Sequence, residues 1–209
     1  MYHNLNKVRK ITLTALLVAI IFLLTFTPLG YLVIGPIAAT TIQMPVIIGA
    51  VLMGPVTGLV LGGFFGLSAI VKVLTMPGAD PFATLALSYS PLHYIVVCMG
   101  SRLVMGFLTG VLGEMLSKIP VLQKRRWSPI RYGITGAAGS LMNTVFYLGM
   151  LWLLCAEVIS TYYNVDISGV GALVMGTAVA AGIPEAIVSC LVVAAVCKAM
   201  EAVLRRQQS

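Results

Sequence analysis

The sequence has little charge and few histidines. Charged residues make up 9% of its 209 residues, six residues are acidic, and two are histidines. Soluble domains carry about 25% charged residues, whereas 59% of this chain is hydrophobic and its mean hydropathy is +1.03. No polar stretch is long enough to fold around a core of its own. The composition therefore excludes a soluble protein and predicts a single membrane domain, 1–209.

The sequence also lacks the motifs of common membrane enzymes. It holds neither an HExxH zinc motif nor a Walker motif for nucleotide binding. The segment GLSA at residues 66–69 resembles the serine motif of intramembrane rhomboid proteases, whose chemistry needs a histidine base at membrane depth. His3 lies in a terminal tail and His93 near a helix end. We therefore expect no enzyme, no metal and no cofactor in this chain.

Basic residues are grouped at the ends of apolar runs. This distribution is the positive-inside pattern, which places all three groups in the cytoplasm and argues against a nucleic-acid partner. The groups are Lys7, Arg9 and Lys10; Lys118, Lys124, Arg125, Arg126 and Arg131; and Lys198, Arg205 and Arg206.

The apolar runs predict an all-α, integral membrane six-helix bundle with both termini cytoplasmic. Gly54 and Pro55 make a tight turn between helices 2 and 3, and the basic groups require an even number of crossings, so these two helices count separately. The segments after helices 1, 3 and 5 are then outer loops, and Pro184 predicts a kink in helix 6. The predicted helices cover residues 8–26, 38–53, 55–74, 92–117, 132–156 and 170–204.

Glycines recur at four-residue spacing on two of these helices. Helix 3 holds Gly58, Gly62 and Gly66, and helix 4 holds Gly106 and Gly110. Small residues at this spacing let helix backbones approach closely in lipid. We therefore predict close packing of these helices.

Three polar side chains lie at similar depth in three different helices. Arg102 lies about ten residues, or roughly 15 Å, into helix 4 from outside. Asn143 lies at a similar depth in helix 5, and Glu185 lies about midway along helix 6. In a hydrocarbon core about 30 Å thick this depth is near the midplane, where ionisable groups mark functional sites. Two interpretations stay open: an Arg102–Glu185 ion pair that locks the bundle, and the polar floor of a ligand cavity open to the outside.

Two further groups have a structural and a functional interpretation. Lys72, near the outer end of helix 3, is explained by snorkelling to the lipid headgroups. The outer segments hold aromatic residues, which suit either the membrane interface or a lid over a ligand. These aromatic residues are Tyr31, Phe82, Tyr89, Tyr94, Tyr162 and Tyr163.

Several stretches resemble one family of membrane proteins. The stretch IAATTIQMPVIIGAVLMGPVTGLVLGGFFGLSAIV, residues 37–71, resembles the S-components of energy-coupling-factor (ECF) vitamin transporters. SRLVMGFLTG, GSLMNTVFYLGMLWL and GIPEAIVSCLVVAAVCKAM resemble the arginine-glycine, Asn-Thr and Pro-Glu motifs of that family's helices 4, 5 and 6. Ala15 and Ala19 match its Ala-x-x-x-Ala motif in helix 1. The resemblance covers nearly the whole chain in the expected order.

The resemblance implies a substrate-binding subunit of an importer in the prokaryotic plasma membrane. Such a subunit binds a vitamin from outside, tilts in the membrane and releases the vitamin inside. A transmembrane coupling subunit would contact Ala15 and Ala19, and two ATPase subunits would use the ATP. We therefore expect these subunits, a vitamin and membrane lipid as partners. A self-sufficient secondary carrier and an intramembrane hydrolase are the alternatives.

Within the family, the helix 2 pattern and IPEAI are most similar to the pantothenate S-components. The similarity implies that Arg102 binds the pantothenate carboxylate bidentately, while Asn143 and Glu185 bind its amide and hydroxyls. Such relatives are expected to carry a histidine in place of Gln43, so a pyridoxine-type vitamin or another small precursor stays an alternative. The candidate substrate-binding residues are Arg102, Asn143, Glu185, Gln43, Thr41, Tyr31, Tyr89 and Tyr147.

Overall fold

The computed structural model describes residues 6–34, 37–76, 81–124 and 126–206, with the backbone alone described at residues 31–39, 81 and 204–206. The described chain is almost entirely helical, with one short hairpin and a 3₁₀ turn at Pro28–Gly30. In chain order the elements are α1 (Lys7–Phe26), β1 (Tyr31–Ile34), β2 (Ile37–Thr40), α2 (Gln43–Met53), α3 (Pro55–Thr75), α4 (Pro81–Tyr89), α5 (Pro91–Lys118), α6 (Pro120–Gln123), α7 (Ser128–Tyr163) and α8 (Ile167–Arg206).

Five helices in the described residues are long and apolar enough to cross a membrane: α1, α3, α5, α7 and α8. The predicted membrane bundle of helices is therefore confirmed. With 36 and 40 residues, α7 and α8 would measure about 54 and 60 Å if straight, well beyond a hydrocarbon core of about 30 Å. Most of the loop predicted between them is helical instead. Asn164, at φ 51°, ends α7 and leaves a short connection to α8.

The predicted second helix is wrong at its N-terminal end. Residues 38–40 belong to β2, which pairs with β1 in an antiparallel hairpin whose register joins Tyr31 to Thr40. The sequence between the strands, Gly35 and Pro36, favours a turn, so α2 begins only at Gln43. With 11 residues, all of them buried, α2 measures about 16 Å. The sixth crossing is therefore a half-length helix inside the bundle, preceded by a hairpin.

The loop predicted between α3 and α5 contains a nine-residue helix, α4. Pro81 and Pro91 are the first residues of α4 and α5, a position where a missing N–H costs nothing. The side chain of Ser90 caps α5 by accepting the His93 N–H at 3.5 Å. Because α4 packs against α5 and α7, it covers one end of the bundle. We refer to this end as the α4 end and to the other as the Gly54 end.

Glycines bring α3 and α5 into backbone contact, as their spacing predicts. A Cβ added to Gly58 would collide with the carbonyl oxygen of Gly106, and one added to Gly62 with that of Arg102. The sulfur of Met99 lies 2.8 Å from the position of a Gly66 Cβ. These contacts fix the level of each α5 residue beside α3. Arg102 therefore lies next to Gly62.

A polar cluster joins α7 to α8 at the Gly54 end. Glu201 is 5% exposed, and its Oε2 accepts the Ser128 hydroxyl at 2.9 Å. The ammonium of Lys198 lies 3.4 Å from the same oxygen and donates to the Ser128 Oγ at 2.7 Å. The buried carboxylate is thus satisfied by partners from both helices.

Candidate ligand-binding cavity

A cavity of about 200 Å³ lies inside the bundle, among α3, α5, α7 and α8. Phe82 and Ala83 of α4 line it at one end, and Thr40 of β2 lines it beside Glu185. Pockets for drug-sized ligands measure about 300–1,000 Å³, so this cavity suits a small metabolite. Four of the predicted substrate-binding residues line it: Arg102, Asn143, Tyr147 and Glu185.

Glu185 is a buried carboxylate, 6% exposed, on α8. Its Oε1 accepts the Thr40 backbone N–H at 2.9 Å and the Thr40 hydroxyl at 2.8 Å. Its Oε2 accepts the Gln43 Nε2 at 3.4 Å. Hydrogen bonds to a charged group are stronger than those between neutral groups. Donors from the hairpin and α2 therefore offset the cost of burying this charge.

The ion pair considered between Arg102 and Glu185 is not formed in the described part of the chain. The carboxylate is bound by Thr40 and Gln43 instead. Arg102 donates from Nη1 to the carbonyl oxygen of Cys98 at 3.0 Å, four residues earlier on its own helix. Helical side chains incline toward the helix N-terminus. For α5 that direction leads toward the α4 end, away from Glu185.

Two aromatic rings hold the guanidinium of Arg102. Its Cζ lies 4.7 Å from the ring centroid of Phe65 on α3 and 4.9 Å from that of Tyr147 on α7. Cation–π contacts of this kind stabilise a planar guanidinium through its faces and leave its N–H groups at the edge. The side chain is 8% exposed. The stacking therefore fixes a buried, oriented donor group in the cavity wall.

Asn143 contributes an acceptor to the cavity. The residue is 9% exposed, and within the described chain its Oδ1 has no protein hydrogen-bond partner. An unpaired buried polar atom costs about 1–3 kcal/mol. A ligand N–H or O–H bound to Asn143 would therefore gain this free energy in addition to its own contacts.

Lys72 lines the cavity, which the sequence interpretation missed. Its side chain is 8% exposed, so snorkelling to the headgroups is wrong for this residue. Phe65, Ala69 and Lys72 are spaced i, i+4 and i+7 on α3, and all three line the cavity. This spacing, which puts residues on one helix face, was a signal that could have placed Lys72 beside the cavity.

Two candidates from the helix 2 region support the cavity without lining it. Gln43 is fully buried and donates from Nε2 to the Ser140 hydroxyl at 2.7 Å as well as to Glu185. Thr41 donates from its hydroxyl to the Leu29 carbonyl oxygen at 2.9 Å. Both residues hold the hairpin and α2 in place. Their contacts give them a positioning role.

One aromatic candidate, Tyr89, is not brought to the cavity. Tyr89, on α4, is 46% exposed and donates from its hydroxyl to Glu157 Oε2 at 3.3 Å. The nearby Glu157 carboxylate raises the pKa of Tyr89 above its usual value. The side chain of Tyr31 lies outside the described residues.

The predicted coupling residues lie on α1, the least buried of the five candidate membrane helices among the described residues. Ala15 and Ala19 are exposed on α1, whose apolar stretch is only 11% buried. Ala15, Val18, Val56 and Val60 line an apolar groove between α1 and α3. The surface that carries the Ala-x-x-x-Ala motif is therefore accessible from outside the bundle.

A helical membrane bundle with an internal cavity lined by Arg102, Asn143 and Glu185, and with an accessible first helix, agrees with the resemblance seen in the sequence. Residues 9–197 match the family described as "ECF transporter, substrate-specific component", and the chain belongs to this family. It is a multi-pass membrane protein of a transport system.

Part of the chain is also similar to one individual transporter. The chain is 35% identical over 79 residues to the pantothenate transporter PanT of Leuconostoc mesenteroides. The match covers 35% of this chain and 39% of that protein, so the chain spans about two fifths of the length of the relative.

Proposed function

We propose that this protein is the pantothenate-binding subunit of an ECF-type importer in a prokaryotic plasma membrane. The observation that carries the proposal is the set of polar groups in one small cavity: a stacked guanidinium at Arg102, an unpaired acceptor at Asn143, and a carboxylate at Glu185. Pantothenate offers a carboxylate, an amide and hydroxyls. The similarity to a pantothenate transporter supports the same ligand.

Each of these three polar groups has a matching group on pantothenate. The N–H groups of Arg102 donate to the ligand carboxylate, since a guanidinium binds carboxylates bidentately. Asn143 Oδ1 accepts the amide N–H. Glu185 accepts a hydroxyl, because a carboxylate has about four lone-pair sites and the chain supplies three donors. The apolar parts of the ligand contact Leu148 and Ala181.

The proposal includes partners that supply the energy. A transmembrane coupling subunit would pack a helix against α1 at Ala15 and Ala19, where small side chains allow close approach. Two ATPase subunits would bind and hydrolyse ATP. This chain would bind the vitamin alone and transport it only within the complex.

Ligand binding by the purified chain tests the vitamin assignment. Thermal shift and calorimetry with pantothenate, pyridoxine, riboflavin, biotin and thiamine would be measured in detergent. We expect tight binding of pantothenate alone, and Arg102→Gln should weaken it at least tenfold, the loss of about 1.4 kcal/mol. The exposed Arg126→Gln is the matched control. Binding of another vitamin in preference to pantothenate would contradict the assignment.

Uptake into vesicles separates this proposal from a secondary carrier. The chain reconstituted alone should bind labelled pantothenate without accumulating it. Accumulation should require the coupling subunit, both ATPase subunits and ATP. Uptake by the lone chain, with or without an ion gradient, would contradict the proposed function.

A further inference from the structure

We infer that Lys72 is a second residue that selects an anionic ligand, and that the ligand lies along the cavity with its carboxylate toward the α4 end. Its hydroxyl groups then lie at the opposite end, against Glu185. This inference rests on the proposed function, because it assigns a direction and a further specificity residue to the same cavity.

The acceptor groups of the cavity lie toward the Gly54 end. Ser140 and Glu185 are at one level, since Gln43 Nε2 donates to both. Asn143 lies three residues further along α7, about 4.5 Å nearer the α4 end at 1.5 Å per residue. Tyr147 lies four residues beyond Asn143, about 6 Å further. Along the cavity from the Gly54 end, the oxygen acceptors of Glu185 and Asn143 therefore come before the cationic side chains.

The cations lie toward the α4 end. The guanidinium of Arg102 is at the level of Tyr147 and Phe65, and its bond to the Cys98 carbonyl draws it further from Glu185. Lys72 follows Phe65 by seven residues on α3, about 10 Å nearer the α4 end. Both cations line the cavity, and both are 8% exposed. The charge along the cavity therefore changes from negative to positive over its length.

This gradient admits a linear ligand in one direction. With the carboxylate toward Arg102 and Lys72, the ligand amide passes Asn143 and the hydroxyls reach the remaining lone pair of Glu185. In the reverse direction the ligand carboxylate would face Glu185, and two like charges repel more strongly in a protein interior than in water. Oppositely charged groups at the two ends thus select both the anion and its orientation.

Two ligands that differ only at the anionic end test the inference. Calorimetry would compare pantothenate with its alcohol analogue, in which a hydroxymethyl group replaces the carboxylate. We expect Lys72→Met to weaken the binding of pantothenate about tenfold, the loss of one charge-assisted contact of about 1.4 kcal/mol. The affinity for the analogue should change by less than about twofold. Lys72→Arg should retain the preference for the anion. Lys118→Met, at an exposed lysine, is the matched control.

The orientation is tested at the other end. Glu185→Gln should weaken the binding of both ligands by the same factor, because both carry the same hydroxyl groups. A smaller loss, or a gain, for pantothenate relative to the analogue in Glu185→Gln would overturn the orientation, because in the reverse direction the substitution removes the repulsion between Glu185 and the ligand carboxylate. Equal losses for both ligands in Lys72→Met would overturn the role of Lys72 and assign it to structure. Thermal unfolding without ligand reports whether each variant is folded, and Lys72→Gln replaces Lys72→Met if the latter is not.

The inference and the proposed function fail in different ways. If the wild-type chain binds neither pantothenate nor its analogue, the proposed function is wrong, and the inference falls with it. If the wild type binds pantothenate and Lys72→Met discriminates between the two ligands as the wild type does, only the inference is wrong.

Discussion

Replacing Thr40 with valine tests whether Glu185 holds the hairpin. The substitution removes the 2.8 Å hydrogen bond from Thr40 Oγ1 to Glu185 Oε1 and keeps the 2.9 Å bond from the Thr40 N–H. A hydrogen bond to a charged group contributes about 1.5–3 kcal/mol, so the free energy of unfolding should fall by this amount. At about 2–4 °C per kcal/mol for a chain of this size, Tm should fall by about 3–12 °C.

The same substitution in a chain with a neutral residue at position 185 measures how much of the effect depends on the charge of Glu185. Glu185→Gln replaces the carboxylate by an amide, whose oxygen accepts a bond of about 0.5–1.5 kcal/mol. In this background Thr40→Val should lower Tm by only about 1–6 °C. The difference between the two backgrounds is the coupling free energy between the hydroxyl and the charge. Thermal unfolding of the four purified chains in detergent measures it.

A second threonine provides the control. The exposed Thr161 donates its hydroxyl at 2.9 Å to the Glu157 carbonyl oxygen of its own helix. Thr161→Val should change the free energy of unfolding by less than about 0.5 kcal/mol. If Thr40→Val lowered Tm no more than Thr161→Val, or equally in both backgrounds, the reasoning that the Glu185 carboxylate holds the hairpin would be refuted.

Three further substitutions test the packing and the coupling surface. Gly62→Ala should destabilise the fold by about 1–3 kcal/mol, since its Cβ would meet a backbone carbonyl, whereas Gly149→Ala, which has open space, should leave Tm unchanged. Glu201→Ala should lower the free energy of unfolding by at least about 1.5–3 kcal/mol, measured by thermal unfolding. Replacing Ala15 and Ala19 together with leucine should spare pantothenate binding and abolish uptake by the complex.

Each of these expectations has a clear contrary result. Equal Tm values for Gly62→Ala and Gly149→Ala would contradict the backbone contact between α3 and α5. An unchanged Tm in Glu201→Ala would mean that its cluster contributes nothing to stability. If uptake survived the replacement of Ala15 and Ala19 with leucine, this face of α1 would be excluded as the coupling surface.

The long helices were predictable because their signal is repeated over many residues. About 20 apolar residues in a row indicate a membrane helix whatever the rest of the chain does, and this holds for α1 and α3. The N-terminal end of the predicted second helix was not, because residues 38–40, Ala-Ala-Thr, include nothing that excludes a helix. Hydropathy carries no information on whether an apolar segment forms a strand or a helix, and the pairing of β1 with β2 decides it.

The cavity was predictable at three of its polar groups. Arg102, Asn143 and Glu185 could be placed by depth, because a polar group at the midplane must face protein or water. Their partners could not. Depth alone made Arg102 and Glu185 neighbours, whereas the direction of the Arg102 side chain along α5 and the hairpin beside α8 separate them. Lys72 was missed because the prediction used the depth of each residue and did not ask which residues share its helix face.

The burial of α2 has a consequence for how the protein is made. A segment inserts into the bilayer independently when it has about 20 apolar residues, enough to span the hydrocarbon core as a helix. The 11 residues of α2 are too few, and none presents a surface to lipid in the finished bundle. The Gly54–Pro55 turn joins α2 directly to α3, so the two must enter as one unit during synthesis. The position of α2 is therefore maintained by neighbouring helices, and in a nascent chain that ended at Met53 only α1 would anchor the chain in the membrane, with no α3 to hold α2 there.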